Sequence, residues 1–176
     1  MNSRREQILA TSAELFAQHG FHGVSMAEIG EACGISGPAL YKHVASKEAL
    51  LAESLISSSR DLVAGGEERE GDLDALIAFH ADFATRRPAL IVIQEREWSN
   101  LSDAARTEVR RLQLSYIDVW VRTVAPSRPD WDRRRARAGV QAVFGLLNST
   151  PHSARISAPA MRGLLQTLAR DALVGG

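Results

Sequence analysis

Residues 31–43 read Glu-Ala-Cys-Gly-Ile-Ser-Gly-Pro-Ala-Leu-Tyr-Lys-His and contain two short helical patterns separated by a glycine. The first pattern stops at Gly34, and the second begins after Ser36, a residue type that caps helix N-termini. Gly34 can adopt the positive φ that a tight turn between two helices requires. The second segment ends in Tyr41, Lys42 and His43, which are too polar and aromatic for ordinary core residues. The stretch therefore predicts a helix-turn-helix whose second helix is displayed for contact with DNA.

The flanking segments also have helical patterns. Apolar residues with helical spacing precede Gly20, which is expected to end the first helix. Ser25 and Glu28 have the spacing of a capping box, which predicts the start of the second helix. A fourth helix is expected over residues 46–63. Residues 64–71 combine three glycines with a charge run, which predicts a loop or a frayed helix end.

The rest of the chain shows further helical patterns, with the last two predicted helices at residues 131–148 and 158–174. Ser149-Thr-Pro-His-Ser between them is expected to be a turn. No segment shows sustained alternation of period two, and there is no internal repeat. The predicted fold class is all-α.

Composition argues against a membrane protein and against a disulfide-bonded one. Hydrophobic residues make up 45% of the 176 residues, but the apolar runs are too short for a membrane-spanning helix. The amphipathic N-terminal pattern does not predict a signal peptide. Cys33 is the single cysteine, so an internal disulfide is impossible. We expect a cytoplasmic protein without a membrane partner.

Charge alone does not predict nucleic-acid binding, because the formal net charge is zero. Residues 1–50 contain four basic and five acidic side chains. Both lysines of the chain, Lys42 and Lys47, lie near the helix-turn-helix. Affinity for phosphate would therefore depend on where the cations are placed.

Five segments in order carry a family resemblance: Phe16-Ala-Gln-His-Gly-Phe21, Val24-Ser-Met-Ala-Glu-Ile29, Gly34-Ile-Ser36, Leu40-Tyr-Lys-His43 and Ser46-Lys-Glu-x-Leu50. Together they resemble the N-terminal domain of TetR-type transcriptional regulators. The family's usual Phe after the His is Val44 here, a smaller side chain for the small core. The resemblance covers residues 1–60 and weakens beyond them.

The resemblance implies a three-helix helix-turn-helix DNA-binding domain at residues 1–48, with the fourth helix as a connector. A larger helical ligand-binding and dimerisation domain would follow at residues 49–176. The implied partner is double-stranded operator DNA. Ser25 and Met26 would meet a phosphate at a helix N-terminus, and Arg4 and Arg5 would follow the DNA as a flexible arm. The other implied DNA contacts are Ser36, Gly37, Pro38, Ala39, Tyr41, Lys42, His43 and Lys47. Alternatively, Tyr41 could cap the small core.

Central helices carry aromatic and hydrogen-bonding side chains that would suit a largely apolar effector site. The candidates are His80, Phe83, Trp98, Tyr116 and Trp120. Simple core packing is the alternative for each of them. The effector, if there is one, would be a small molecule of hydrophobic or acyl-bearing character.

The last two predicted helices each carry a broad apolar stripe interspersed with small residues, which favours a homodimer interface over a purely monomeric core. The predicted interface residues are Val140, Val143, Phe144, Leu147, Met161, Leu164, Leu165, Leu168 and Leu173.

Other functions have weaker support in the sequence. An enzyme would need a nucleophile–base pair or a metal cluster, and the motifs H-E-x-x-H and G-x-S-x-G are absent from the sequence. We therefore predict no catalytic residue, no metal ligand and no cofactor, and we interpret Cys33 as a small buried hydrophobe. A helical adaptor and a transcriptional activator of the same family remain alternatives to a ligand-responsive repressor.

Overall fold

A computed structural model describes residues 4–175 of the chain, and within that range all regular structure is helical. The longer helices are α1 (Arg4–His19), α4 (Lys47–Glu67), α5 (Leu73–Arg86), α6 (Pro88–Arg96), α7 (Asp103–Val124), α8 (Arg133–Leu147) and α10 (Ala158–Val174). The shorter ones are α2 (Met26–Ala32), α3 (Gly37–Leu40) and α9 (Thr150–Ser153). The predicted all-α class is confirmed. No helix in the described range is long and apolar enough to cross a bilayer.

Side-chain caps begin several helices, and at α2 and α3 the sequence predicted them. Ser25 caps α2 with the full capping box, and Ser36 caps α3. Asp72 accepts a hydrogen bond from the backbone N–H of Ala75 at the start of α5. These side chains satisfy amide groups that have no partner within the helix.

The chain divides into two compact units. The first contains Met1–Ser58 and Ala89–Val109, and its core includes the fully buried side chains of Ile8, Phe16, Ile29, Leu40 and Leu50. The second contains Ser59–Pro88 and Arg110–Gly176. In the second unit α10 packs on α5 and α8 around Leu76, Trp120, Val140 and Leu173.

Helix α4 is longer than predicted. The expected interruption over residues 64–71 is wrong for its first part, because α4 continues through Gly65 and Gly66 to Glu67. A Cβ on Gly65 would lie 2.2 Å from Cζ of Phe79, and a Cβ on Gly66 would lie 2.6 Å from Cε2 of Tyr116. The two glycines therefore let aromatic rings pack directly on the helix backbone.

The predicted turn over Ser149–Ser153 is a short helix instead. Within α9, the hydroxyl of Thr150 donates a hydrogen bond of 2.7 Å to the carbonyl of Ala84. This contact ties the segment after α8 to the end of α5.

Candidate nucleic-acid interface

The turn between α2 and α3 has the geometry that the sequence predicted. Gly34 has a φ of +69°, in the left-handed region that favours glycine. The backbone N–H of Ile35 donates 2.9 Å to the carbonyl of Gly30. A Cβ on Gly30 would lie 2.9 Å from the carbonyl oxygen of Ile35, so this glycine permits the close approach of α2 and the turn. No motif in the sequence marks Gly30.

The segment that follows the turn is displayed on one side and anchored on the other. Leu40 is fully buried, whereas Tyr41 is 55% exposed and Lys42 is also exposed. Ser36 and Pro38 are exposed at the start of α3. The alternative in which Tyr41 caps the small core is therefore wrong. The other predicted contacts in the segment, Gly37, Ala39 and His43, are half-buried.

The N-terminus of α2 is occupied by its own capping box. One carboxylate oxygen of Glu28 accepts hydrogen bonds of 2.7 Å from both the backbone N–H and the hydroxyl of Ser25. The hydroxyl of Ser25 in turn accepts from the backbone N–H of Glu28. A phosphate beside Ser25 and Met26 would therefore meet the negative charge of Glu28. The predicted phosphate contacts of these two residues stay predictions.

The capping box gives the stability of the first unit a pH dependence. The hydrogen bonds from Ser25 lower the pKa of the Glu28 carboxyl below its ordinary value. A carboxyl with a depressed folded-state pKa stabilises the fold above its unfolded pKa, and this stabilisation is lost as the pH falls through the folded pKa.

Glu28→Gln, which keeps a hydrogen-bond acceptor but removes the charge, should lower the melting temperature at neutral pH. The difference from wild type should shrink to nothing below the folded-state pKa of Glu28. Circular dichroism melts of both proteins across the acid range measure this. A difference in melting temperature that is constant with pH would show that the charge of Glu28 does not stabilise the fold.

Lys47 holds the loop in front of α2. Its ammonium donates a hydrogen bond of 2.8 Å to the carbonyl of Val24 and lies 4.5 Å from the centre of the Phe21 ring. Lys47 is half-buried by these contacts. The same ammonium therefore orders the protein's own loop. The predicted contact of Lys47 with a DNA phosphate stays a prediction.

Arg4 and Arg5 do not form the expected flexible arm. Both belong to the first turn of α1. The guanidinium of Arg4 donates to the carbonyl of Cys33 at 3.2 Å, and that of Arg5 donates to the carbonyl of His43 at 2.9 Å. The flexible arm is wrong because a basic N-terminus looks the same in the sequence whether it is free or bonded to distant carbonyls. The predicted DNA contacts of Arg4 and Arg5 stay predictions.

In the second unit, three of the five predicted effector residues form one aromatic cluster together with Phe144. His80 stacks on Phe144 with ring centres 4.7 Å apart and on Tyr116 at 5.7 Å, and Trp120 lies edge-on to Phe144 at 5.0 Å. The two imidazole nitrogens of His80 lie 3.3 Å from the hydroxyl of Tyr116 and 3.0 Å from the side-chain oxygen of Asn148. The cluster thus combines packed aromatic rings with a short chain of polar groups.

Burial controls the protonation of this polar chain. It lowers the pKa of His80 to about 4 and raises the pKa of Tyr116 well above its ordinary value. His80 is therefore neutral at physiological pH. In that form one ring nitrogen donates to Asn148 and the other accepts from Tyr116.

The two remaining effector candidates have different surroundings. Phe83 is half-buried with its ring centre 6.0 Å from that of His80. Trp98 belongs to the first unit and packs against the core of that unit. Asn148, the other polar partner of His80, directly follows α8 and belongs to no motif that would have predicted its role.

The predicted dimer residues divide into two sets. Those buried in the protomer's own core are Val140, Val143, Leu147, Met161, Leu165 and Leu173. Phe144 packs against the same core from a half-buried position. Leu164 and Leu168 are 46% and 43% exposed. The part of the predicted interface that is accessible in one protomer is therefore the outer face of α10.

Comparison with known proteins agrees with this geometry. The model of the N-terminal domain of bacterial regulatory proteins, tetR family, matches residues 8–54. The transcriptional repressor KstR2 of Rhodococcus jostii is 26% identical over 157 residues, covering 85% of this chain and 76% of KstR2.

Solved structures share the fold along the whole chain. The regulator PfmR from Thermus thermophilus superposes with a TM-score of 0.84 at 21% identity, covering 100% of this chain and 98% of PfmR. AibR, solved with isovaleryl coenzyme A and operator DNA, superposes with a TM-score of 0.74 at 20% identity, covering 98% and 99%. The resemblance inferred from the sequence is confirmed: residues 8–54 match the tetR-family model, and the chain shares its fold with PfmR along its length.

Proposed function

We propose that the chain is a homodimeric repressor that places the α3 segment of each protomer in a major groove of a pseudo-palindromic operator. The observation that carries this proposal is the exposure of Tyr41 and Lys42 directly after the buried anchor Leu40. Small side chains at Gly37 and Ala39 allow close approach to base edges. They offer few hydrogen bonds, so van der Waals contacts and DNA shape contribute to the readout.

The proposed dimer forms through the outer faces of α8 and α10. Leu164 and Leu168 on α10 are accessible, and Ala138, Ala142 and Gly145 form an exposed row of small residues on α8. Two such helices from each protomer can pack as a four-helix interface about a two-fold axis. The two recognition segments would then meet half-sites about 34–36 Å apart, one turn of B-DNA.

The proposed effector is a small hydrophobic or acyl-bearing molecule that binds at the aromatic cluster of His80, Tyr116, Trp120 and Phe144. The cluster supports this proposal because aromatic rings lie beside the phenol of Tyr116, which donates to His80 and keeps a lone pair that can accept from one polar group of a ligand. AibR, which shares the fold, binds an acyl coenzyme A. Operator release requires the effector to bind the released state more tightly than the DNA-bound state.

The function is tested by selecting duplexes from a random DNA library with the purified protein. We expect a pseudo-palindromic duplex whose affinity falls steeply with salt, since phosphate contacts release counterions. Adding isovaleryl coenzyme A or a longer acyl coenzyme A to the bound complex then tests effector release. Failure to enrich any duplex would contradict the function, and an unchanged complex with every acyl chain length would contradict the effector class.

Lys42 gives the sharpest test of the phosphate contacts. It is exposed, and within the described part of the chain its ammonium makes no ion pair. Lys42→Ala should weaken binding to all duplexes and lower the slope of log K against log salt by about one unit. Fluorescence anisotropy at several salt concentrations measures both. An unchanged slope would mean that Lys42 does not contact phosphate.

A further inference from the structure

We propose that Arg5 and Glu53 form a clamp that positions the end of the recognition segment, so that Arg5 acts on DNA binding through the protein and not through a phosphate. This inference rests on the proposed operator binding. Nε and Nη2 of Arg5 donate to the two carboxylate oxygens of Glu53, at 2.5 and 2.7 Å. Nη1 of the same guanidinium donates to the carbonyl of His43 at 2.9 Å. We call these three groups the Arg5 clamp.

The position of this carbonyl explains why a clamp is needed. Helix α3 has only four residues, so it has few internal hydrogen bonds to hold it in place. The exposed side chains proposed to contact DNA, Tyr41 and Lys42, lie between the end of α3 and His43. On the inner side, the backbone N–H groups of His43 and Val44 both donate to the carbonyl of Leu40. Arg5 adds a charge-assisted bond to the outer end of this turn.

Only arginine can make this set of contacts. A guanidinium presents two parallel N–H groups to the carboxylate and has a further N–H free for the carbonyl, all in one rigid plane. Lysine has a single point of charge on a flexible stem, so Arg5→Lys would keep the charge and lose the geometry. The difference separates a positioning role from an electrostatic one.

The neighbouring residue, Arg4, makes a similar pair of contacts at the end of α2. Arg4 donates to the side-chain oxygen of Gln7 at 2.9 Å and to the carbonyl of Cys33, the residue that follows α2. Two consecutive arginines of α1 thus hold the carbonyl ends of α2 and of the recognition segment. Their common role is to fix the helix-turn-helix against α1.

The charges also argue against a direct contact between Arg5 and a DNA phosphate. Its charge is balanced by Glu53, and the side chains are 53% and 30% exposed. An exposed pair of this kind contributes little to global stability. Its effect should therefore be confined to the turn that it touches.

The decisive variant is Glu53→Gln, because the two roles of Arg5 predict opposite signs. If Arg5 contacts phosphate, removing the negative charge frees the guanidinium and tightens binding. If the clamp positions the turn, Glu53→Gln weakens binding to the selected duplex by about tenfold, as expected for one lost charge-assisted hydrogen bond. The salt slope then stays at the wild-type value.

Two further variants complete the experiment. Arg5→Lys should weaken binding to the selected duplex as Glu53→Gln does, since lysine preserves the charge but lacks the parallel N–H groups of the guanidinium. Glu14→Gln removes an exposed carboxylate from α1 and serves as the matched control. It should leave affinity within about twofold of wild type. Tighter binding by Glu53→Gln, or wild-type affinity of Arg5→Lys, would overturn the clamp.

A readout without DNA separates this inference from the proposed function. Amide hydrogen exchange at His43 and Val44 should be faster in Glu53→Gln, while exchange at Leu55 in α4 stays unchanged. If wild-type protein selects no duplex, the proposed function fails and the exchange rates still test the clamp. Unchanged exchange at His43 and Val44 would overturn the clamp even if operator binding is established.

Discussion

Gly66→Ala is expected to lower the free energy of unfolding by about 2 kcal/mol, although alanine is the better helix former. Gly66 lies inside α4, where its added Cβ would be 2.6 Å from Cε2 and 2.9 Å from Cδ2 of Tyr116. Tyr116 has little room to move, because it is 3% exposed and its ring lies 5.4 Å from that of Phe144. Overpacking of this kind outweighs the gain of about 1 kcal/mol from helix propensity.

Urea unfolding at one fixed protein concentration measures the change. Gly163→Ala is the matched control, since Gly163 is inside α10, its added Cβ would meet nothing within 4 Å, and it is not one of the residues placed in the proposed interface. That variant should gain up to about 1 kcal/mol. If Gly66→Ala were as stable as Gly163→Ala, the packing of Tyr116 on α4 would be wrong.

Replacing Leu164 and Leu168 together by Glu is expected to convert the proposed dimer into monomers. These exposed leucines can accept charge in a single protomer at little cost, but four carboxylates cannot be buried in an interface. Operator affinity should fall by at least about 100-fold, because the second half-site would no longer be bound intramolecularly.

Sedimentation equilibrium and binding to the selected duplex measure the two effects. Leu114→Glu is the control, because Leu114 is a 46% exposed leucine on α7, outside the proposed interface. Leu114→Glu should leave both the mass of the dimer in solution and the affinity for the selected duplex unchanged. A double variant that remains dimeric would place the interface on another surface.

Local sequence signals predicted the helix-turn-helix well. Gly34 supplies the positive φ of the turn, and Ser25 and Ser36 cap the helices that they precede. Each of these features depends on neighbours within a few residues. Such signals can be read from the sequence without knowing the fold.

Long-range contacts account for what the sequence could not predict. Gly65 and Gly66 are poor helix formers, and only the rings packed against them explain why α4 continues. Arg5 and Glu53 are 48 positions apart, and His80 and Asn148 are 68 apart. Nothing in the local pattern around these residues identifies their partners. The interface prediction likewise could not separate the apolar residues of α8 and α10 that are buried in the protomer's own core from those that are exposed on its surface.

Hydroxyl-radical footprinting of the selected duplex, combined with the mass of the complex, shows whether a dimer occupies two half-sites. We expect two protomers on one duplex and two protected segments about 34–36 Å apart on one face of the helix. Protection should weaken at both segments when Lys42 is replaced by Ala. A single protected segment with one bound protomer, or a footprint that Lys42→Ala leaves intact, would contradict the proposed operator binding.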